Sequence, residues 1–350
     1  MSTPKIIYLD QNKWVEILRA ESHGGNTPAT RAATSLREAV ANGKAVVPLS
    51  ASHYIETWHR SKWESRFGLA SLMRDLSNYA TLAPVQCVQR WEIESLLLPF
   101  LGLSHKAPPT PNPKDRVLAR GVNHAFGSTT GRLRLVDSVA SANAQEGETV
   151  EPSSDLLSIL HQVRALPNDA YEWWSLAGDR HDSMIREGFD TRGQHRIGDV
   201  YAEQERALSQ HLTENPQKRS KLDELIAAQE LVDLSEDLHS FASGIGISPE
   251  RIYGRLAEMG APNSAMALLE SLPSVSVRYT ARRLKHRNSQ WRWQQHDHVD
   301  MAALAVSIPY ADVVVTERQW AHLFHVAKMD QKFRTKVVSQ LGDLPALLER

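Results

Sequence analysis

Short apolar runs alternate with amphipathic segments over the first hundred residues. KIIYL predicts a buried strand, and QNKWVEILRA predicts a helix because Trp14, Ile17 and Leu18 recur at helical spacing. TRAATSLREAVANG predicts a second helix that ends at Gly43. KAVVPLS predicts a second buried strand, and residues 51–77 predict one long amphipathic helix. Alternating strands and helices favour right-handed crossovers and a parallel sheet.

The pattern changes near residue 104. A proline-rich stretch, 104–115, and a stretch of small polar residues, 127–154, predict loops. From 154 to 286 the pattern is mostly helical, and the clearest segments are HRIGDVYAEQERALSQHL and RSKLDELIAAQELVDLSEDLHSFASG. SPERIYGRLAEMG predicts a further helix, with Ser248 at the N-cap, Pro249 in the first helical position and an end at Gly260.

The last sixty residues return to the opening pattern. HDHVDMAALAVSI predicts a short helix stopped by Pro309, ADVVVT a buried strand and ERQWAHLFHVAK a helix. KVVSQLGDLPALLER predicts a final strand and a short helix. We therefore expect residues 1–103 and 287–350 to form one α/β domain with a parallel sheet, and residues 104–286 to form a mostly α-helical insertion with a loop-rich start.

Composition limits the class of protein. The 350 residues are 41% hydrophobic and 23% charged with a formal net charge of -1, so attraction to nucleic acid would need a local basic patch. A single cysteine, Cys87, excludes an internal disulfide framework and fits a reducing compartment. No apolar run is long enough for a signal peptide or a membrane span. We expect a cytoplasmic protein that does not enter a membrane.

Carboxylates recur where predicted strands end. Asp10 closes the first strand, Glu56 lies early in the helix after the second, and Glu317 follows the strand VVVT. Asp297 and Asp300 open a helix and share one of its faces. The carboxyl ends of parallel strands lie along one sheet edge, where ligands bind, so these groups should meet there. Clustered carboxylates repel one another unless a cation neutralises them, and oxygen ligands favour Mg²⁺ or Mn²⁺.

These motifs, in this order, resemble the PIN-like domain family of metal-dependent nucleases. YLDQN contains Asp10 and Asn12, SASHYIET contains Glu56, HDHVDMAALA contains both aspartates of the later helix, and VVVTERQW contains Glu317. IPYADVVVTE also resembles a subgroup in which Asp312 is a typical position. The resemblance spans about residues 1–100 and 288–350. Glu317 departs from the family, which usually has Asp there, and this departure would weaken or shift a second metal position.

The resemblance implies metal-assisted hydrolysis of phosphodiester bonds. Asp10, Glu56, Asp297 and Glu317 would be the catalytic metal ligands, with Asp300 as a further ligand and Asn12 orienting Asp10 or a water. RNA is favoured over DNA by analogy, because small PIN-like proteins are often ribonucleases, including toxins of toxin–antitoxin pairs. An antitoxin is implied on the same basis. The long insertion is unlike a minimal toxin, and we expect it to bind substrate, a regulatory protein partner or a second copy of the chain, which would make a homodimer.

A basic run, VRYTARRLKHRNSQWRWQQH, leads into the predicted site. No acidic residue occurs between positions 271 and 296. Basic side chains contact phosphates and aromatic rings stack on unpaired bases, so this run predicts a nucleic-acid groove. The residues expected to line the groove are Arg282, Arg283, Lys285, Arg287, Trp291 and Arg292.

Other interpretations of the same residues remain open. Asp10 suits a helix N-cap, Glu56 could pair with Arg60, and the basic run could be a solvated helix face. His296 and His298 could ligate zinc, and the His-Asp pairs resemble those of HD-type phosphohydrolases. A phosphoacceptor aspartate at position 10 is a further alternative. The rival class is a non-catalytic domain that binds nucleic acid or protein, with Glu317 as a sign of lost chemistry.

Overall fold

The structure is a computed structural model and describes residues 3–106, 114–128, 132, 153–179, 181–187, 193–258, 263–288 and 290–349. Most of the loops predicted at 104–115 and 127–154, and the predicted helix end at Gly260, lie outside these residues. The described chain is mostly helical around a small parallel sheet, so the α/β class holds in this coarse form. None of the described helices is both long and apolar enough to cross a bilayer.

Four short parallel strands form the central sheet in the order β2-β1-β5-β6, which confirms the predicted parallel sheet. They are β1 (Lys5–Leu9), β2 (Ala45–Val46), β5 (Val313–Val315) and β6 (Lys336–Val338). The chain leaves β1 towards β2 on one side, and β5 pairs with β1 on the other. The junction of β1 and β5 is thus the point where strand order reverses, and ligands bind beyond the carboxyl ends of strands at such points.

Two more strands form an antiparallel pair that the apolar pattern does not predict. They are β3 (Ala80–Leu82) and β4 (Leu118–Arg120), and they are far apart in sequence. A parallel bridge between Leu49 and Thr81 joins this strand pair to the chain just after β2. The pair therefore continues the sheet on the side away from β5.

Helices cover both faces of the sheet. In the N-terminal part they are α1 (Gln11–His23), α2 (Pro28–Ala41), α3 (Ala51–Trp58), α4 (Trp63–Ser77), α5 (Val85–Phe100), α6 (Lys114–Val117) and α7 (Val122–Ala125). In the middle part they are α8 (Ser154–Arg164), α9 (Asn168–Ala177), α10 (His181–Arg186), α11 (Gly193–Glu214), α12 (Leu222–Gly244), α13 (Pro249–Glu258), α14 (Asn263–Ser271) and α15 (Pro273–Arg287). In the C-terminal part they are α16 (Asp297–Tyr310), α17 (Arg318–Val326), α18 (Met329–Phe333) and α19 (Leu344–Leu348).

The long helix predicted over 51–77 is wrong, because the chain breaks into α3 and α4 at residues 59–62. The guanidinium of Arg66 is buried beneath the break and donates to the carbonyls of Arg60 at 2.7 Å and Ser61 at 2.9 Å. These two carbonyls therefore accept hydrogen bonds from the Arg66 side chain instead of from backbone N–H groups of a continuing helix. The break leaves α3 as a short helix directly behind the end of β2.

Alternate residues of β1 face two separate cores. Ile7 and Leu9 pack with α1 to α4, and Ile6 and Tyr8 pack with α5, α16 and α17. The predicted helical insertion packs onto this α/β core at two places. Helices α8 and α9 join the first core, where Trp58 Nε1 donates to the Ser175 carbonyl at 2.7 Å. Helices α11 to α15 instead form a third core together with α5.

Candidate metal centre

Asp10 lies at the carboxyl end of β1 and is buried. Its Oδ1 accepts the backbone N–H of Gln11 at 2.8 Å, so it is also the N-cap of α1. Its Oδ2 accepts the hydroxyl of Thr316 at 2.8 Å, from the end of the neighbouring β5. Burial raises the pKa of Asp10, although these two hydrogen bonds oppose the shift. The N-cap interpretation is confirmed, and it coexists with a position at the ligand-binding edge.

The end of β1 is fixed by a buried histidine. The carbonyl of Leu9 accepts hydrogen bonds from His53 Nε2 at 2.9 Å and Trp14 Nε1 at 3.2 Å. The Ser50 backbone N–H donates to His53 Nδ1 at 2.8 Å, so the proton of this imidazole is on Nε2. Burial lowers the pKa of His53 to about 4, and the ring is therefore neutral. This neutral tautomer anchors the backbone immediately before Asp10.

Glu56 lies on α3, and its charge interacts with that of Asp10. Its pKa is raised to about 8, first by burial and then by the negative charge of Asp10. Arg60, one turn later on the chain, opposes the shift, and Glu317 adds to it. Glu56 forms no ion pair among the described residues, so the pairing with Arg60 in the alternative interpretation is not a direct contact.

Asp300 joins this group from the first turns of α16. Burial raises the pKa of Asp300 well above its ordinary value, and the charges of Asp10 and Glu56 raise it further. The indole of Trp320, on α17, donates to Asp300 Oδ2 at 3.3 Å and opposes the shift. Asp300 therefore interacts electrostatically with Asp10, at the end of β1, and with Glu56, in the helix after β2.

Glu317 follows β5 and is the exposed member of the group. Its charge adds to the rise that burial causes in the pKa values of Asp10, Glu56 and Asp300. The amide of Asn12 donates to Glu317 Oε1 at 2.8 Å. Asn12 thus orients Glu317 in this structure, whereas the sequence suggested that it orients Asp10 or a water. The Oδ1 atom of Asn12 is buried and has no hydrogen-bond partner within the described part of the chain.

Asp297, which the family resemblance favours over Asp300, is neutralised by a lysine. Its Oδ1 forms a buried ion pair with Lys285 Nζ at 2.6 Å, and its Oδ2 accepts the Gln294 backbone N–H at 2.6 Å. Both carboxylate oxygens are therefore occupied by protein donors. The structure therefore favours Asp300 over Asp297 as a candidate ligand, because Asp297 has an ion-pair partner and Asp300 has none among the described residues.

Four carboxylates from four segments thus interact at one sheet edge. Within the described residues, none of Asp10, Glu56 and Asp300 forms an ion pair with a basic side chain. Hydrogen bonds and nearby basic side chains offset their mutual repulsion only in part, because the pKa values of all three stay raised. An oxygen-only donor set fits a hard divalent cation such as Mg²⁺ or Mn²⁺. A different group, His296, Asp297 and Asp300, has ligand atoms that all lie within 4.8 Å of one another, but Lys285 already neutralises Asp297. This second group fits a cation less well, and His298 is not part of it.

Basic side chains on α1 and just after α3 lie beside the carboxylates. Lys13 opposes the rise that burial causes in the pKa of Asp10, and Arg60 opposes the rise in that of Glu56. Burial lowers the pKa of Arg60, and the positive charge of Arg19 lowers it further. We call Lys13, Arg19 and Arg60 the cationic rim. The sequence pattern did not indicate this group of basic residues; the position of Arg60, four residues after Glu56, was the available signal.

The predicted nucleic-acid groove requires correction. Arg282 is buried in ion pairs with Glu205 and Glu230 at 2.7 Å each, and Lys285 is buried against Asp297, so neither can reach a phosphate. Tertiary packing supplies the acidic partners that the run itself lacks.

The remaining residues of the predicted groove differ in exposure. Arg283 and Arg287 both pair with Asp223, at 3.3 and 2.7 Å. Trp291 packs against the core formed with α16 and α17. Arg292 is exposed, and it is the one predicted member of the groove that neither packing nor an ion pair of the described residues engages.

Comparison with family models, with curated proteins and with solved structures finds no match to this chain. The chemistry of the site therefore rests on the geometry above.

Proposed function

We propose that this chain is a metal-dependent nuclease built on a PIN-like α/β domain. One observation supports the proposal above the others: Asp10, Glu56, Asp300 and Glu317 converge where the strand order reverses, and burial raises the pKa values of the first three. Such a cluster is relieved either by taking up protons or by binding a divalent cation, and its oxygen-only composition suits the cation.

Asp10, Glu56, Asp300 and Glu317 would hold the cation. When bound, Mg²⁺ or Mn²⁺ would supply activation of water and neutralisation of charge on a phosphate. Thr316 and the Gln11 N–H hold the Asp10 carboxylate in place, Asn12 holds Glu317, and Trp320 holds Asp300.

The net reaction is hydrolysis. A water oxygen forms a new bond to phosphorus, the bond from phosphorus to the leaving oxygen breaks, and the leaving oxygen gains a proton. Single-stranded RNA is the favoured substrate by analogy with PIN-like ribonucleases, and the cationic rim offers its backbone a surface beside the carboxylates. A toxin or defence role with an antitoxin-like partner, a homodimeric state and a cytoplasmic location belong to the same proposal.

The test is cleavage of end-labelled single-stranded RNA and DNA of matched sequence, with Mn²⁺ or with EDTA. Wild type should cut RNA only with the metal, and reaction in H₂¹⁸O should place the label in the product phosphate. Asp10→Asn keeps the capping oxygen and the side-chain shape but removes the charge, and it should abolish cleavage.

Asp75→Asn is the matched control, because Asp75 forms an exposed pair with Arg74 on α4. It should cut at the wild-type rate. Cleavage that persists in EDTA or in Asp10→Asn would contradict the proposal. Equal binding of RNA by wild type and Asp10→Asn, with no cleavage by either, would favour the non-catalytic binding domain.

A further inference from the structure

Lys285 is a buried cation that joins the helical insertion to the candidate site. It lies near the end of α15, and its side chain is 3% exposed. Its Nζ lies 2.6 Å from Asp297 Oδ1, 4.8 Å from the ring centre of Trp293 and 5.2 Å from that of Trp320. One ammonium group thus contacts the start of α16, the loop before it and the start of α17. An ammonium over indole rings is attracted to their electron-rich faces.

The contact with Trp320 leads directly to the carboxylates. Trp320 is buried, and its Nε1 donates to Asp300 Oδ2 at 3.3 Å. The ring that Lys285 contacts is therefore the ring that orients Asp300. Lys285 also holds Asp297, three residues before Asp300 on the same helix, so it restrains this segment from two sides.

We propose that Lys285 is a positioning residue that orients Asp300 for cation binding through Trp320 and Asp297. The inference rests on the proposed function, because it assumes that Asp300 is a metal ligand. The helical insertion thereby gains a role, because α15 places the Lys285 ammonium group where it sets the position of Asp300 in the α/β domain. Groups that orient metal ligands typically alter metal affinity by about 10-fold to 100-fold when they are removed.

The test is titration of Mn²⁺ alone into the full-length protein by isothermal titration calorimetry. Lys285→Met keeps the length and the apolar stem of the side chain but removes its charge, and it should weaken Mn²⁺ binding by about tenfold or more. Lys332→Met is the matched control. Lys332 connects α18 to α15 by donating to Ser276 Oγ at 2.7 Å, and it contacts none of the four carboxylates. This variant should change the thermal midpoint but leave Mn²⁺ affinity within about twofold of wild type.

A double variant separates positioning from simple neutralisation of Asp297. Lys285→Met/Asp297→Asn removes both charges of the buried pair, so thermal stability should recover relative to Lys285→Met. Mn²⁺ affinity should stay weak, because the ammonium over Trp320 is still missing. Full recovery of Mn²⁺ affinity in the double variant would overturn the proposal and leave Lys285 as the counterion of Asp297.

A variant of Trp320 tests the role of Lys285 independently. If Lys285→Met does not fold, Trp320→Phe keeps the packing, removes the donor to Asp300, and should weaken Mn²⁺ binding to a similar extent. Wild-type affinity in Trp320→Phe or in a folded Lys285→Met would refute the inference while the metal centre stands. If wild type binds no Mn²⁺, the proposed function and this inference fail together.

Discussion

The hydroxyl of Thr316 donates a 2.8 Å hydrogen bond to Asp10 Oδ2 across the junction of β1 and β5. Thr316 is fully buried, and its own backbone N–H donates to the Val338 carbonyl of β6 at 3.0 Å. Three adjacent strands therefore fix one oxygen of one carboxylate. This is a more demanding arrangement than a helix cap needs, since the Gln11 N–H alone satisfies the cap.

Thr316→Val should weaken Mn²⁺ binding. Valine has the shape of threonine but lacks the donor, so Asp10 is deprived of a hydrogen bond that favours its charged form and its pKa should rise. We expect about tenfold weaker Mn²⁺ binding by calorimetry. Thr316→Ser keeps the hydroxyl and should stay near wild type; equal weakening in both variants would show that packing, and not the hydrogen bond, is what matters.

Asp300→Asn and Asp297→Asn should affect different properties, cleavage in the first and stability in the second. Asp300→Asn should abolish metal-dependent cleavage with little loss of stability, because it removes charge from a repulsive group. Asp297→Asn leaves Lys285 buried without a counterion and should lower the free energy of unfolding by roughly 3 kcal/mol. Urea denaturation together with an RNA cleavage assay measures both quantities. Loss of cleavage in a stable Asp297→Asn, with cleavage retained in Asp300→Asn, would restore the assignment made from the sequence.

His53 should make stability depend on pH in acid. Burial lowers its pKa from 6.5 to about 4, so between these values the unfolded chain binds a proton that the folded chain does not. The free energy of unfolding should therefore fall as pH drops from about 6.5 to 4, by roughly 3 kcal/mol in total. Denaturation curves across this range measure it.

His53→Gln is the comparison for this effect. It keeps an N–H donor for the Leu9 carbonyl but cannot titrate, so it should lack this component of the slope. The raised pKa of Glu56 acts in both proteins and cancels in their difference. Identical pH dependence in the two proteins would mean that His53 is not a neutral buried base.

Arg60→Gln should weaken RNA binding through charge. If the cationic rim contacts phosphates, the slope of log affinity against log salt should become shallower by about 0.7 for each phosphate of the single strand that is no longer neutralised. Fluorescence anisotropy with Asp10→Asn as background measures binding without cleavage. Arg74→Gln, on the exposed surface of α4, is the control and should keep the wild-type slope. An unchanged slope in Arg60→Gln would remove this residue from the substrate surface.

The sequence predicts those parts of the site that depend on local pattern. Asp10 and Glu317 directly follow apolar runs that are strands, and a carboxylate after a strand is visible without any tertiary information. The parallel sheet follows from the same alternation. The β3–β4 pair is not visible in the pattern, because its two strands are three residues each and the helices α5 and α6 lie between them in sequence.

The other features of the site depend on partners that are distant in sequence, so the sequence pattern could not predict them. Asp297 and Asp300 lie on one helical face, and only the position of Lys285 separates the paired aspartate from the unpaired one. Arg282 belongs to a run without acidic neighbours in sequence, but Glu205 and Glu230 reach it from other helices. The break after α3 likewise depends on Arg66 bonding to carbonyls of the chain before it.

We propose that the carboxylates at this edge bind a cation that hydrolysis of RNA requires. The initial rate of cleavage of one end-labelled single-stranded RNA, measured as Mn²⁺ is titrated into wild type and into Asp10→Asn, tests this proposal. We expect a rate that rises with Mn²⁺ and saturates for wild type, and no cleavage at any Mn²⁺ concentration for Asp10→Asn. A wild-type rate that does not depend on Mn²⁺, or an Asp10→Asn variant that cuts as fast as wild type, would contradict the proposal.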